Sequence, residues 1–171
     1  MTTPAASGLF RLAFDGFSQA RGRLTECLST STSAWAVSIP AIEAVYWGRS
    51  LDEQLIDADA AYTTVRGRSE ADVMRGLKWI RNRASHSLPL TVRKAGGLGF
   101  PLRMPLTIEP VTVLWLHGDQ LPPEPPQHID PKGRAAYNKT FADRPVTDPL
   151  DGITRWFANE RSRPGSLLRD I

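Results

Sequence analysis

Apolar residues recur at three- and four-residue steps over residues 8–28, at Leu9, Leu12, Ala13, Phe17, Ala20 and Leu24, while Arg11, Asp15, Gln19, Arg21 and Arg23 fall largely on the other side. That spacing predicts an amphipathic helix. A hydroxyl-rich break at 29–33 separates it from a second helical region, interrupted or begun at Pro40 and running to about Tyr62. Ile42, Val45, Tyr46, Leu51, Leu55 and Ile56 give that region its apolar stripe, and Trp35 and Trp47 add bulk. The third helix, over 69–88, has the clearest signals. Ser69 is a plausible N-cap, Glu70 and Asp72 suit the first turn, and Val73, Leu77, Ile80 and Ala84 form one core stripe. Pro89 marks its latest end, because the residue before a proline resists helix.

The pattern then changes period. Segments 91–93, 102–104 and 106–116 read as strands, with Ala95-Gly96-Gly97-Leu98-Gly99 as a turn, and Pro105 and Pro110 argue for an edge strand or a bulge. Residues 90–117 are therefore expected to form a small antiparallel appendage. Residues 118–131 make a proline-rich loop, read as a stiff connector over the surface in preference to a Pro-x-x-P ligand. Asp130-Pro131 and Asp148-Pro149 each look like an N-cap followed by a first-turn proline, which places two further helices within 131–160. Leu150, Ile153, Trp156 and Phe157 face the core in the last, and 161–171 is expected to be a tail. The whole is one mainly α-helical domain spanning 1–171, its helical core at 8–88.

Composition adds bounds more than direction. The chain has 171 residues, 41% hydrophobic and 23% charged, ordinary for a globular domain. Net charge is +3 and the pI about 9.3. The cations are mostly Arg, with Lys only at 78, 94, 132 and 139, which permits a phosphate-bearing partner. Cys27 is the single cysteine, so neither an internal disulfide nor a cysteine metal site can form. The first residues lack the basic start and apolar run of a signal peptide, and no stretch approaches the roughly 20 apolar residues of a membrane span. A cytoplasmic location without membrane partners is the expectation. Asp52, Glu53, Asp57 and Asp59 cluster without a metal-binding spacing and read as a solvated acidic face, part of which could pair with basic residues of the third helix. The glycines at 96, 97 and 99 lack the following Lys-Ser/Thr of a phosphate loop.

The densest chemistry is Arg81-Asn82-Arg83-Ala84-Ser85-His86, near the C-terminal end of the third helix. Arg grips phosphate through paired hydrogen bonds, and His moves protons near neutral pH. RNA carries its own nucleophile, the 2′-hydroxyl, so these groups need neither metal nor cofactor. At 100° per residue from Arg81, the core stripe centres near about 290°, Ser85 near 40°, Lys78 near 60°, Asn82 near 100°, Arg75 near 120°, His86 near 140° and Trp79 near 160°. Arg81 and His86 thus bracket one polar face but diverge, and two copies packed about a two-fold axis would pool them in one cleft. Trp79, off the core stripe, could lie in that interface or stack a base.

The Arg-Asn-x-x-x-His run, late on a core helix of a mainly helical domain, resembles the motif of the HEPN superfamily. Active members of that family carry Arg-x(4–6)-His, commonly with Asn, Asp or His directly after the Arg; here the matching residues are Arg81, Asn82 and His86. The resemblance covers roughly 8–88, and the strands fall outside it. It implies a four- or five-helix bundle, a homodimeric cleft and metal-independent endoribonuclease activity. Arg81, Asn82 and His86 would be catalytic, with Arg75, Lys78, Ser85 and Trp79 extending the RNA-binding face. It also implies roles in toxin–antitoxin systems, with an antitoxin protein as partner, in phage defence or in RNA processing. The alternative is a non-catalytic helical module binding RNA, nucleotide or protein. In the plainest reading Arg81 is a surface cation and His86 a helix-terminal residue favoured by the dipole.

Overall fold

A computed structural model describes residues 4–67, 71–87, 91–97, 109–169 and 171. Among them are six helices, α1 (Pro4–Thr30), α2 (Ala34–Ala58), α3 (Ala60–Arg66), α4 (Asp72–Ser87), α5 (Pro131–Thr140) and α6 (Thr147–Ser162), and one antiparallel pair, β1 (Val92–Gly97) and β2 (Glu109–Trp115). The protein is mainly α with a small β appendage, as the patterning predicts.

α1 and α2 form the largest helix pair. Phe10, Ala13, Phe17, Ala20 and Leu24 make the buried stripe of α1. Leu9 and Leu12, expected on that stripe, are 55% and 57% exposed; the core line runs through Phe10 and Ala13 instead. Gly16 admits Trp47, since a Cβ there would stand 2.5 Å from the indole. Pro40 neither starts nor breaks α2. It lies inside the helix, buried, and the second helical region splits instead at Asp59. Asp59 ends α2, and its carboxylate accepts from the backbone N–H groups of Ala61 and Tyr62 to begin α3.

α4 packs on α2 and α6 through the expected Leu77, Ile80 and Ala84, and on α5 through a second face. Small residues permit that second contact. A Cβ on Gly76 would lie 2.8 Å from Thr140 Oγ1 and 3.1 Å from Tyr137 Cα. One on Gly133 would lie 3.0 Å from Trp79 Cδ1. Tyr137 stacks on Phe141, and Phe141 meets Trp115 edge-on, which ties α5 to the sheet.

In the sheet, Val92 pairs with Trp115 and Ala95 with Thr112, and the register shifts between Ala95 and Gly97. Residues 95–97, expected to turn, belong to β1, and Gly96 absorbs the irregularity at φ 81°. The expected strand at 102–104 and the proposed cap Ser69 lie outside the described residues. The proline-rich connector contains two short 3-10 turns, at Gly118–Gln120 and Pro126–His128. Asp130 caps α5 by accepting from Gly133 N–H at 2.8 Å. The segment after α6 is no loose tail. Leu168 and Ser166 are buried, and Arg163 pairs with Asp59 and Glu160.

The acidic cluster also departs from its expected place. Asp52 is fully buried. Its carboxylate accepts from Arg49 at 2.5 Å, Arg66 at 2.9 Å and the Tyr62 hydroxyl at 2.7 Å. Trp156 Nε1 donates in turn to that hydroxyl, joining α6 to the network. Removing one member of a buried ion network strands the others. Asp52→Ala is therefore expected to cost about 3–5 kcal/mol. Glu53→Ala, whose carboxylate is 40% exposed, is expected to cost under about 1 kcal/mol. Urea unfolding of both variants checks the contrast, and equal losses would refute it.

Candidate functional site

The last two turns of α4 carry the motif, and their neighbours divide its side chains among different surroundings. Arg81 faces α2. Its guanidinium lies 5.7 Å from the Tyr46 ring centroid, 3.9 Å from Glu53 Oε2, and donates to Asn82 Oδ1 at 3.3 Å. Its side chain remains 34% exposed. Ser85 completes this constellation, donating to the Arg81 carbonyl at 2.9 Å and accepting from the Tyr46 hydroxyl at 2.9 Å. The structure thus brings together Arg81, Asn82 and Ser85, with Tyr46 and Glu53 of α2 as partners. The signal for Glu53 was present, an acidic residue in a cluster expected to meet the basic face of α4. Tyr46, on the apolar stripe of its helix, carries no such signal in the sequence.

His86 occupies the last turn of α4; its side chain lies outside the described residues. Along the helix axis it stands about 7.5 Å beyond Arg81, five residues at 1.5 Å each.

Trp79 lies elsewhere than the wheel suggested. It is 3% exposed, pressed between Gly133 and Tyr137 with ring centroids 4.7 Å apart. The reason is α5, which buries a second face of α4 that a single core stripe does not anticipate. Neither ring face is open to a base. Arg83, one turn after Trp79, follows it to the same side. It is buried and donates to the carbonyls of Pro122 and Pro123, anchoring the proline-rich connector. Asn82, Trp79 and Arg83 share a small cavity of about 90 Å³ with Glu124, Pro125, His128 and Asp130. Trp79 Nε1 and Arg83 Nε lack hydrogen-bond partners there.

Arg75 and Lys78 separate from Arg81 toward α5. Arg75 pairs with Asp72 at 3.0 Å and donates to the Gly67 carbonyl at 3.1 Å, while Lys78 is exposed. Together with Arg49, Arg66 and Lys132 they line an open cleft of about 320 Å³. Five cations there face the single carboxylate of Asp130. This cluster was only half visible in the sequence, because Arg49, Arg66 and Lys132 come from three other elements.

No protein-family model, curated protein or solved structure matches the chain. Among the described residues no helix is long and apolar enough to cross a membrane.

Asp72, at the start of α4, holds the basic cleft to its neighbour. Lys139 donates to it at 2.7 Å, and that bond, aided by Arg75, lowers its carboxyl below the ordinary range. A carboxyl depressed on folding contributes stability above its unfolded-state pKa and loses it as pH falls through the folded value. Asp72→Asn is expected to lower stability at pH 7 by under about 1 kcal/mol. The gap from the parent protein should close below about pH 4. Urea midpoints at pH 7 and pH 3 measure this, and a gap independent of pH would refute it.

Proposed function

We propose that the chain is a metal-independent endoribonuclease of the HEPN type, acting as a homodimer. The observation that supports this reading is the setting of Arg81, a part-exposed guanidinium oriented by Tyr46, Glu53 and Asn82 on the helix that also carries His86. An ordered cation of this kind suits a phosphate whose charge grows during reaction. In the proposed step the 2′-oxygen attacks phosphorus and the bond to the 5′-oxygen breaks, leaving a 2′,3′-cyclic phosphate. His86 takes the proton of the 2′-hydroxyl or supplies one to the departing 5′-oxygen. Arg81 from each of two copies neutralises the phosphorane oxygens. Asn82 orients the phosphate or His86. Tyr46 and Ser85 keep this end of α4 seated on α2.

A toxin or phage-defence role, restrained by an antitoxin protein, is the biological setting this chemistry fits. The second reading is a non-catalytic RNA-binding module, favoured by the cleft in which Arg75 and Lys78 join three further cations.

Total RNA and tRNA incubated with the protein in excess EDTA should yield fragments ending in cyclic phosphate. His86→Ala and Arg81→Ala should each lower the rate by about 100-fold or more, while light scattering reports a dimer for all three proteins. Unchanged cleavage by His86→Ala would sink the catalytic assignment. Tight RNA binding with no cleavage by the parent protein would favour the second reading.

A further inference from the structure

Cations collect along the α4–α5 seam well beyond the motif. The cleft holding Arg49, Arg66 and Lys78 shares Arg75 and Lys132 with a second open cleft of about 500 Å³ that adds Asp72 and Lys139. That one shares Lys139 with a third, of about 510 Å³, lined also by Arg144, Arg155, Asp148 and Asp151. Shared walls make the three a single groove. Its lining gathers eight cations against four carboxylates, and with Asp52 and Glu53, which pair Arg49 and Arg66 from behind, the excess is two charges.

Much of the acid is already engaged. Asp130 caps α5, Asp151 pairs with Arg21, and Asp72 pairs with Arg75 and Lys139. Lys78, Lys132, Arg144 and Arg155 have no ion-pair partner among the described residues. Arg49, 7% exposed, presents a buried Nε without a hydrogen-bond partner in the same wall. Unpaired cations spread along a groove suit a repeating anion better than a single one. Lys132 and Lys139 are separated by about 10 Å along α5. A stacked nucleic-acid strand offers a phosphate about every 3.4 Å, so that span alone faces about three.

The groove also reaches the motif. Glu53 pairs with Arg49 at 2.9 Å through one oxygen and lies 3.9 Å from Arg81 through the other. Lys78 stands one turn before Arg81 on α4.

We propose that this groove binds the phosphate backbone of single-stranded RNA and leads it toward Arg81. The proposal rests on RNA being the ligand, as in the functional reading above, but not on cleavage. Four unpaired cations predict a slope of log K against log salt of about −3 for a single strand.

The test uses the full-length protein carrying His86→Ala, to prevent cleavage, and a fluorescent 15-nucleotide oligouridine, titrated from 50 to 300 mM NaCl. Adding Lys78→Gln, Lys132→Gln and Arg155→Gln should weaken binding and flatten the slope by about 0.7 for each of these unpaired cations removed. Replacing the two lysines with Arg instead should retain the slope. All three side chains are exposed, and a retained thermal midpoint verifies folding. An unchanged slope in the triple Gln variant overturns the proposal. So does polyglutamate competing as well as oligouridine at equal charge, which would mark a general polyanion surface. Failure of the nuclease reading looks different: the parent protein leaves RNA intact while the predicted salt dependence persists.

Discussion

The fold turns on one buried carboxylate. Asp52 sits without solvent contact among Arg49, Arg66 and Tyr62, so three helices meet through it: α2 supplies Asp52 and Arg49, α3 supplies the other two, and α6 joins through Trp156. A charge so placed is tolerable only when every oxygen is paired, and both oxygens here are. Burial, followed by the neighbouring carboxylate, raises the Tyr62 hydroxyl far above its ordinary pKa, which keeps its proton on and its donation to Asp52 intact. The same network fixes where α3 ends and so where Arg66 enters the basic cleft. Two guanidiniums shared by one carboxylate leave a net positive wall, which Glu53 offsets from its half-exposed position.

From this wall the site follows through α4. That helix is gripped on two sides, by α2 with α6 and by α5, and the glycines at its α5 contact let the backbones approach. Double packing distributes the motif. Arg81 and Ser85 meet α2, Trp79 and Arg83 turn under α5 and its connector, and Arg75 and Lys78 emerge between the two. One short sequence therefore supplies a structural anchor, an oriented cation and part of a basic groove, because each lies on a different third of the helix surface.

Periodicity suffices to locate α1, α4 and α6, and the Asp130-Pro131 pair locates α5, whereas Asp148, expected to cap α6, lies inside that helix, which starts at Thr147 without a side-chain cap. Periodicity fails where a partner distant in sequence changes a residue's surroundings. Arg49 lies three residues before Asp52 and could be anticipated, but Arg66 lies fourteen after it and arrives only because the chain turns at Asp59. Read alone, Asp52 belongs on a solvated face. Trp79 fails for a related reason: a helical wheel with one core stripe assumes one neighbour, and α4 has two. Pro40 misleads in the opposite sense, being a local helix breaker overridden by burial on both sides of it in α2. Of the candidate site, residue types and their order were visible at 81, 82 and 85, while the α2 partners and the groove required the tertiary fold.

Glu53 places a physical condition on any anion that reaches Arg81. Its carboxylate serves Arg49 at 2.9 Å and only approaches Arg81, at 3.9 Å. At the longer distance and partial exposure, the attraction to Arg81 is the weaker of the two and is screened by salt. A phosphate can therefore take the open side of the Arg81 guanidinium without depriving Glu53 of a partner, because Arg49 retains it. Tyr46 lies 5.7 Å from the guanidinium, Asn82 and Glu53 meet its two terminal nitrogens, and about a third of the side chain stays exposed. Arg81 is thus held by contacts that an incoming anion need not break, which is the condition for a preorganised phosphate grip rather than a closed surface ion pair.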